Sequence, residues 1–207
     1  KLPANKLLTG VGFQGLNAAE RAEQWAEGLQ ISKTLVRRNA PMNESEKRDL
    51  WYRTGRFEYR LGQFENTIQS YRKALSPGKD DLHRDLVETM ITAKKAPAEI
   101  EAEARRYLAA YPYRGDRYHP LGRAAHAASG SDTSRALKIA EEFLRHDVMS
   151  QDMARSYVLW CGEDRKRAEA GLRKLIGQNP KGAGTLRAVL AIDVYRDGLK
   201  EVGKARG

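Results

Sequence analysis

Residues 51–77 read WYRTGRFEYRLGQFENTIQSYRKALSP, and this stretch decides the fold. Apolar and aromatic side chains recur at three- and four-residue intervals on both sides of Leu61-Gly62-Gln63, which is the spacing of two amphipathic helices joined by a tight turn. Large and small residues alternate where the two halves of a helical hairpin have to interlock.

The same reading extends in both directions. Asn17-Ala18-Ala19-Glu20 has the form of a capping box and predicts a helix from there to about Arg38. Residues 1–16 are then an N-terminal extension or cap, docking through Leu7, Leu8, Val11 and Phe13. Helices follow at Glu44–Arg60, Gln63–Leu75, Asp80–Lys94 and, started by Pro97, Ala98–Ala110. Two more pairs are expected at Arg114–Ala128 with Asp132–Arg145, and at Ser150–Cys161 with Asp164–Ile176. Gly182-Ala183-Gly184 interrupts the chain before a last helix from Thr185 to about Arg196, and residues 197–207 form a Gly- and Lys-rich tail.

The spacing of these pairs is regular. Pro77, Pro112 and Pro180 each follow the second helix of a pair, at intervals of 35 and 68 residues, and a further helix end falls near His146. Ile68, Tyr71 and Ala74 in one second helix correspond to Ile100, Ala104 and Tyr107, to Ala136, Ala140 and Phe143, and to Ala168, Leu172 and Leu175 in later ones. A period near 34 residues with this large-and-small pattern resembles the tetratricopeptide repeat (TPR). Trp51, Gly55, Tyr71 and Ala74 stand at positions of that repeat's pattern, whereas Thr54, Glu58 and Thr67 depart from it. The resemblance implies an all-α, right-handed solenoid of stacked antiparallel hairpins, about 10 helices in all, with residues 17–196 as the repeat domain.

In proteins of this kind the first helix of each repeat lines a groove that holds a partner segment. On this chain that face carries Tyr52, Arg53, Arg56, Tyr59 and Arg60, continued by Arg84 and, further on, by Arg123 and His126. Guanidinium forks suit carboxylates, and phenol rings add contact area at little rotameric cost. A solvated polar face with Arg stems over apolar neighbours accounts for the same residues. The run Asp164-Arg165-Lys166-Arg167, with Arg173, Lys174 and Lys181, suits phosphates or is likewise a solvated face.

Composition bounds the partners. With 37 Lys and Arg against 27 Asp and Glu the formal charge is +10, of which +8 lies from Ala104 onward. Acidic peptides, nucleic acid and anionic surfaces are all compatible with it. Cys161 is the single cysteine and sits in apolar company, so no disulfide framework or cysteine-rich zinc module can be built. No apolar run reaches the roughly 20 residues of a bilayer span, and no signal-peptide pattern is present. The chain is expected to be soluble, in a bacterial-type cytoplasm or periplasm.

No set of residues announces chemistry. His119 and His126 lack a third ligand in sequence, and Gly177–Thr185, GQNPKGAGT, lacks the Gly-Lys-Ser/Thr ending of a phosphate loop. No cofactor, metal or enzymatic activity is expected. The sequence therefore points to a protein-protein interaction scaffold that binds a peptide segment, with two alternatives left standing. One is a basic helical-repeat protein for nucleic acid, and the other is a helical domain attached to or assisting an envelope enzyme.

Overall fold

The computed structural model describes residues 4–76, 80–112, 117–147 and 149–196. Their regular structure is helical throughout, with no strand among the described residues. The helices are α1 (Ala4–Arg21), α2 (Trp25–Arg37), α3 (Glu44–Arg60), α4 (Phe64–Ala74), α5 (Asp80–Thr92), α6 (Pro97–Ala110), α7 (His119–Ser129), α8 (Thr133–His146), α9 (Gln151–Trp160), α10 (Arg165–Gln178) and α11 (Gly184–Val189). α11 continues as a π-helical segment, Leu190–Arg196. Packing divides the chain into two units, Lys1–Lys95 and Ala96–Gly207.

In the first unit α1 packs on α2, α2 on α3, α3 on α4 and α4 on α5. α3 opens on a true capping box: Asn43 Oδ1 accepts from the Glu46 amide at 2.9 Å, and Glu46 Oε2 accepts from the Asn43 amide at 2.8 Å. Leu16, Leu29, Leu35, Ala40, Leu50 and Phe57 form a buried cluster against which Leu8, Phe13, Trp25, Ile31 and Met42 pack. Two glycines set the closeness of the hairpins. A Cβ on Gly28 would stand 2.6 Å from the Phe57 ring, and one on Gly55 would land on Tyr71. The Gly55–Tyr71 pairing is the small-against-large contact expected from residues 51–77.

The leading helix expected from Asn17 to Arg38 is instead two helices. Asn17 lies inside α1, where its side chain caps nothing and accepts from Arg53, and the chain turns at Ala22 to Gln24. Glu23 takes φ +55° there, while the Gln24 amide donates to Ala19 at 2.9 Å and the Glu23 amide to Glu20 at 3.3 Å. α1 and α2 thus make a hairpin of their own. Leu8 and Phe13 dock on the cluster, Val11 is 59% exposed, and the Leu7 side chain lies outside the described residues.

The turn geometry recurs. Gly62 at φ +72° and Lys94 at φ +53° close α3 and α5 with the same paired bonds, Gln63 N to Glu58 O at 2.8 Å and Lys95 N to Met90 O at 3.0 Å. This is the Schellman ending, which favours glycine because a side chain costs roughly 1 kcal/mol at positive φ. Glu23→Gly and Lys94→Gly are therefore expected each to stabilise the protein by about 0.5–1 kcal/mol, and Gly62→Ala to destabilise it by about 1 kcal/mol. Urea midpoints at constant m-value check this; a loss of stability in either glycine variant contradicts the assignment.

In the second unit α7 packs on α6 and α8, α8 on α9, and α9 and α10 on each other and on α11. Ala124, Ala125, Ala128, Ala136 and Ala140 are fully buried and let α7 and α8 approach closely. α7 begins at His119 rather than Arg114, because Pro120 fits a first helical turn and not a helix interior; residues 113–116 lie outside the described residues. Cys161 is half-buried at the end of α9, and burial pushes its thiol pKa up. Pro77 and residues 197–207 also lie outside the described residues.

Candidate functional site

Leu50, Thr54, Phe57 and Glu58 form the buried stripe of α3. At 100° per residue, Tyr52, Arg56 and Tyr59 fall on the opposite side, with Arg53 and Arg60 along one flank. Glu58, where the repeat pattern has an aromatic, is 5% exposed and accepts a 2.6 Å bond from the Ser70 hydroxyl. Its pKa is raised, chiefly by burial.

The five side chains do not form one open cluster. Arg53 Nη1 donates to Glu20 Oε2 at 2.9 Å and to Asn17 Oδ1 at 2.7 Å, and its Nε donates to Asp49 at 2.9 Å. Arg56 Nη1 lies 3.0 Å from Glu20 Oε1, and its guanidinium carbon is 5.9 Å from the centre of the Tyr52 ring. Tyr52 in turn stacks on Tyr71 at 6.1 Å, and burial raises the pKa of both phenols. One carboxylate on α1 therefore answers two of the three arginines. At the far end of α3, Tyr59 is 39% exposed and meets Phe64 edge-on at 5.5 Å, while Arg60 lies over the Trp25 ring at 5.4 Å.

The next first helix adds charge of both signs. Arg84 is paired with Asp81 one turn away. Asp85 faces the Tyr52, Tyr71 and Arg56 group closely enough to act on each; its pKa is raised by burial and then by Asp81. The first-helix face of this unit is thus zwitterionic rather than bare cationic.

Arg123 and His126 belong to the second unit, where both are exposed on α7. The His126 ring meets Trp160 of α9 edge-on at 5.0 Å. Burial, and then the Arg123 charge, lower the His126 pKa. Glu20, Asn17, Trp25 and Trp160 were not anticipated as part of these surfaces. Asn17 and Glu20 share an i, i+3 face of α1, but no local signal ties them to residues more than 30 positions away.

Among the described residues no group of three or more His, Cys, Asp or Glu side chains could hold a metal ion. No helix of the described residues is long and apolar enough to cross a membrane.

No protein-family model matches the chain, and no curated protein does. Solved structures resemble it in fold. The RS-1 ArsTM double mutant of MamA superposes with a TM-score of 0.56 at 14% identity, covering 84% of this chain and 95% of that one. MamA from residue 41 to its end, from Desulfovibrio magneticus RS-1, gives 0.55 at 15% identity over 84% and 96%. YrrB, described as a TPR protein with an unusual peptide-binding site, gives 0.52 at 16% identity over 84% and 87%. The chain has a TPR-like, all-α helical-repeat fold.

Proposed function

We propose that the chain is a non-enzymatic protein-interaction scaffold that holds a segment of a partner protein against the first-helix face of its hairpins. The observation that carries this reading is the outward stripe of α3, where Tyr52, Arg56 and Tyr59 stand opposite the buried stripe on a rigid helix. Tyr and Arg are the side chains that most often dominate binding energy at interfaces. The fold is similar to that of YrrB, a TPR protein with a peptide-binding site, and helical-repeat folds present extended surfaces of this kind. Because Glu20 engages Arg53 and Arg56, a partner side chain here meets a phenol and a guanidinium whose charge is partly answered. Arg60 and Tyr59 offer the more exposed contacts.

A photo-crosslinking amino acid at Tyr59, compared with one at exposed Ser134 on the second helix α8, tests the reading. A discrete nuclease-insensitive protein adduct at Tyr59, lost on Tyr52→Ala with Arg56→Ala, is the expected result. Equal adducts at Ser134, no adduct at either site, or adducts that nuclease removes would overturn it.

A further inference from the structure

The second unit carries a surface of a different kind on α10. Ala168, Leu172 and Leu175 are its buried stripe. At 100° per residue Ala170 and Gly177, both exposed, run down the opposite side, flanked by Lys166 and Arg173 on one edge and by Arg167 and Lys174 on the other. Lys181 follows just past the helix end.

Several cations elsewhere in the unit are held by carboxylates. Arg105 is held by Glu101 and Glu142, Arg106 by Glu103, Arg135 by Glu101 and Asp132, and Arg155 by Asp193. On α10 Arg173 is likewise held, by Glu169 and the Tyr195 hydroxyl. Lys166, Arg167, Lys174 and Lys181 are exposed, and their side chains take part in no ion pair or hydrogen bond among the described residues; the Arg167 backbone amide is engaged by Asp164 Oδ1 at 3.0 Å. Three unpaired cations, Lys166, Arg167 and Lys174, therefore flank one side of α10, with Lys181 just beyond its end.

We propose that this face of α10 docks an acidic helical segment of a partner protein. The inference stands apart from the reading of α3, since it concerns a second helix of the other unit. Three features select the occupant. Small residues down the middle allow a helix to approach closely, and cations on both edges meet carboxylates that flank such a helix, as charged positions do beside a coiled-coil seam. Arg167 and Lys174 stand seven residues apart, about 10.5 Å along the axis, the repeat at which a second helix returns the same face. The cationic face itself carries no aromatic side chain on which an unpaired base could stack, and Tyr195 is tied through its hydroxyl to Glu169 and Arg173. The apolar stripe of α10 is buried in the unit, so the cationic face of this helix carries no large apolar side chain for insertion into a lipid surface.

The test uses the full chain and a fluorescein-labelled synthetic helix of three heptads, with Ala along its centre and Glu on both flanks, followed by fluorescence anisotropy at low salt. The controls are the same peptide with Gln for Glu, a DNA duplex, and vesicles of anionic lipid. The triple variant Lys166→Glu, Arg167→Glu, Lys174→Glu is expected to bind the acidic helix at least about tenfold more weakly. Arg37→Glu, Arg38→Glu, Arg48→Glu, which changes the net charge equally on the first unit, is expected to cost less than about threefold. The triple Gln variant at the α10 positions, with circular dichroism and melting unchanged, reproduces the loss if the Glu variant misfolds. The proposal is overturned by equal losses in the two Glu triples, by no difference between the Glu and Gln peptides, or by tighter binding of duplex or vesicles that the α10 substitutions abolish.

Discussion

Phe57→Ala is expected to destabilise the protein by about 4 kcal/mol, the range for emptying a fully enclosed aromatic site. The ring is 0% exposed, lies 6.3 Å from Trp25 and touches Gly28. It therefore joins α3 to the hairpin that precedes it. Gly28→Ala attacks the same contact from the other side by overfilling it, at about 2 kcal/mol. Because both changes act on one space, Phe57→Leu combined with Gly28→Ala should cost clearly less than the two single changes summed. Urea unfolding of the four variants measures the coupling; strict additivity, or a Phe57→Ala loss below about 1 kcal/mol, would show that this packing is absent in solution.

Glu20→Lys comes next in size. Glu20 is 19% exposed in its side chain and sits between Arg53, 20% exposed, and Arg56, 43% exposed, so the reversal would bring three cations together where solvent only partly screens them. About 2–3 kcal/mol is expected, against about 1 kcal/mol for Glu20→Gln, which keeps the shape and removes the charge. The cost of the reversal should shrink between low and high salt, whereas that of Phe57→Ala should not. A Glu20→Lys variant as stable as the parent at low salt would mean that the α1–α3 pairing does not form.

The helical hairpins were legible because their signals are local. Period, the Gly62 turn, Pro97 at a first turn and the break at Gly182 to Gly184 all act within a few residues of the structure they set. The first turn was hidden for the same reason. Glu23 adopts a positive φ without being glycine, and Asn17 with Glu20 has a cap's spacing while sitting mid-helix, so the chain reads as one helix where there are two. For the candidate site, helical periodicity puts Tyr52, Arg56 and Tyr59 on the side of α3 away from its buried stripe, where Tyr59 is exposed and Tyr52 is half-buried against Tyr71. That Arg53 and Arg56 are met by Glu20, more than 30 residues earlier, depends on how hairpins stack and leaves no trace in periodicity.

The Glu20 carboxylate also changes what binding at Arg53 and Arg56 would consist of. An arriving acidic side chain would not neutralise a bare cation; it would swap places with an anion the protein already supplies. Such an exchange leaves the number of ion contacts nearly constant, so its free energy depends weakly on ionic strength and strongly on fit. Loose polyanions gain little from it, and a ligand prevails only by filling the surroundings of Tyr52 better than a tethered glutamate can.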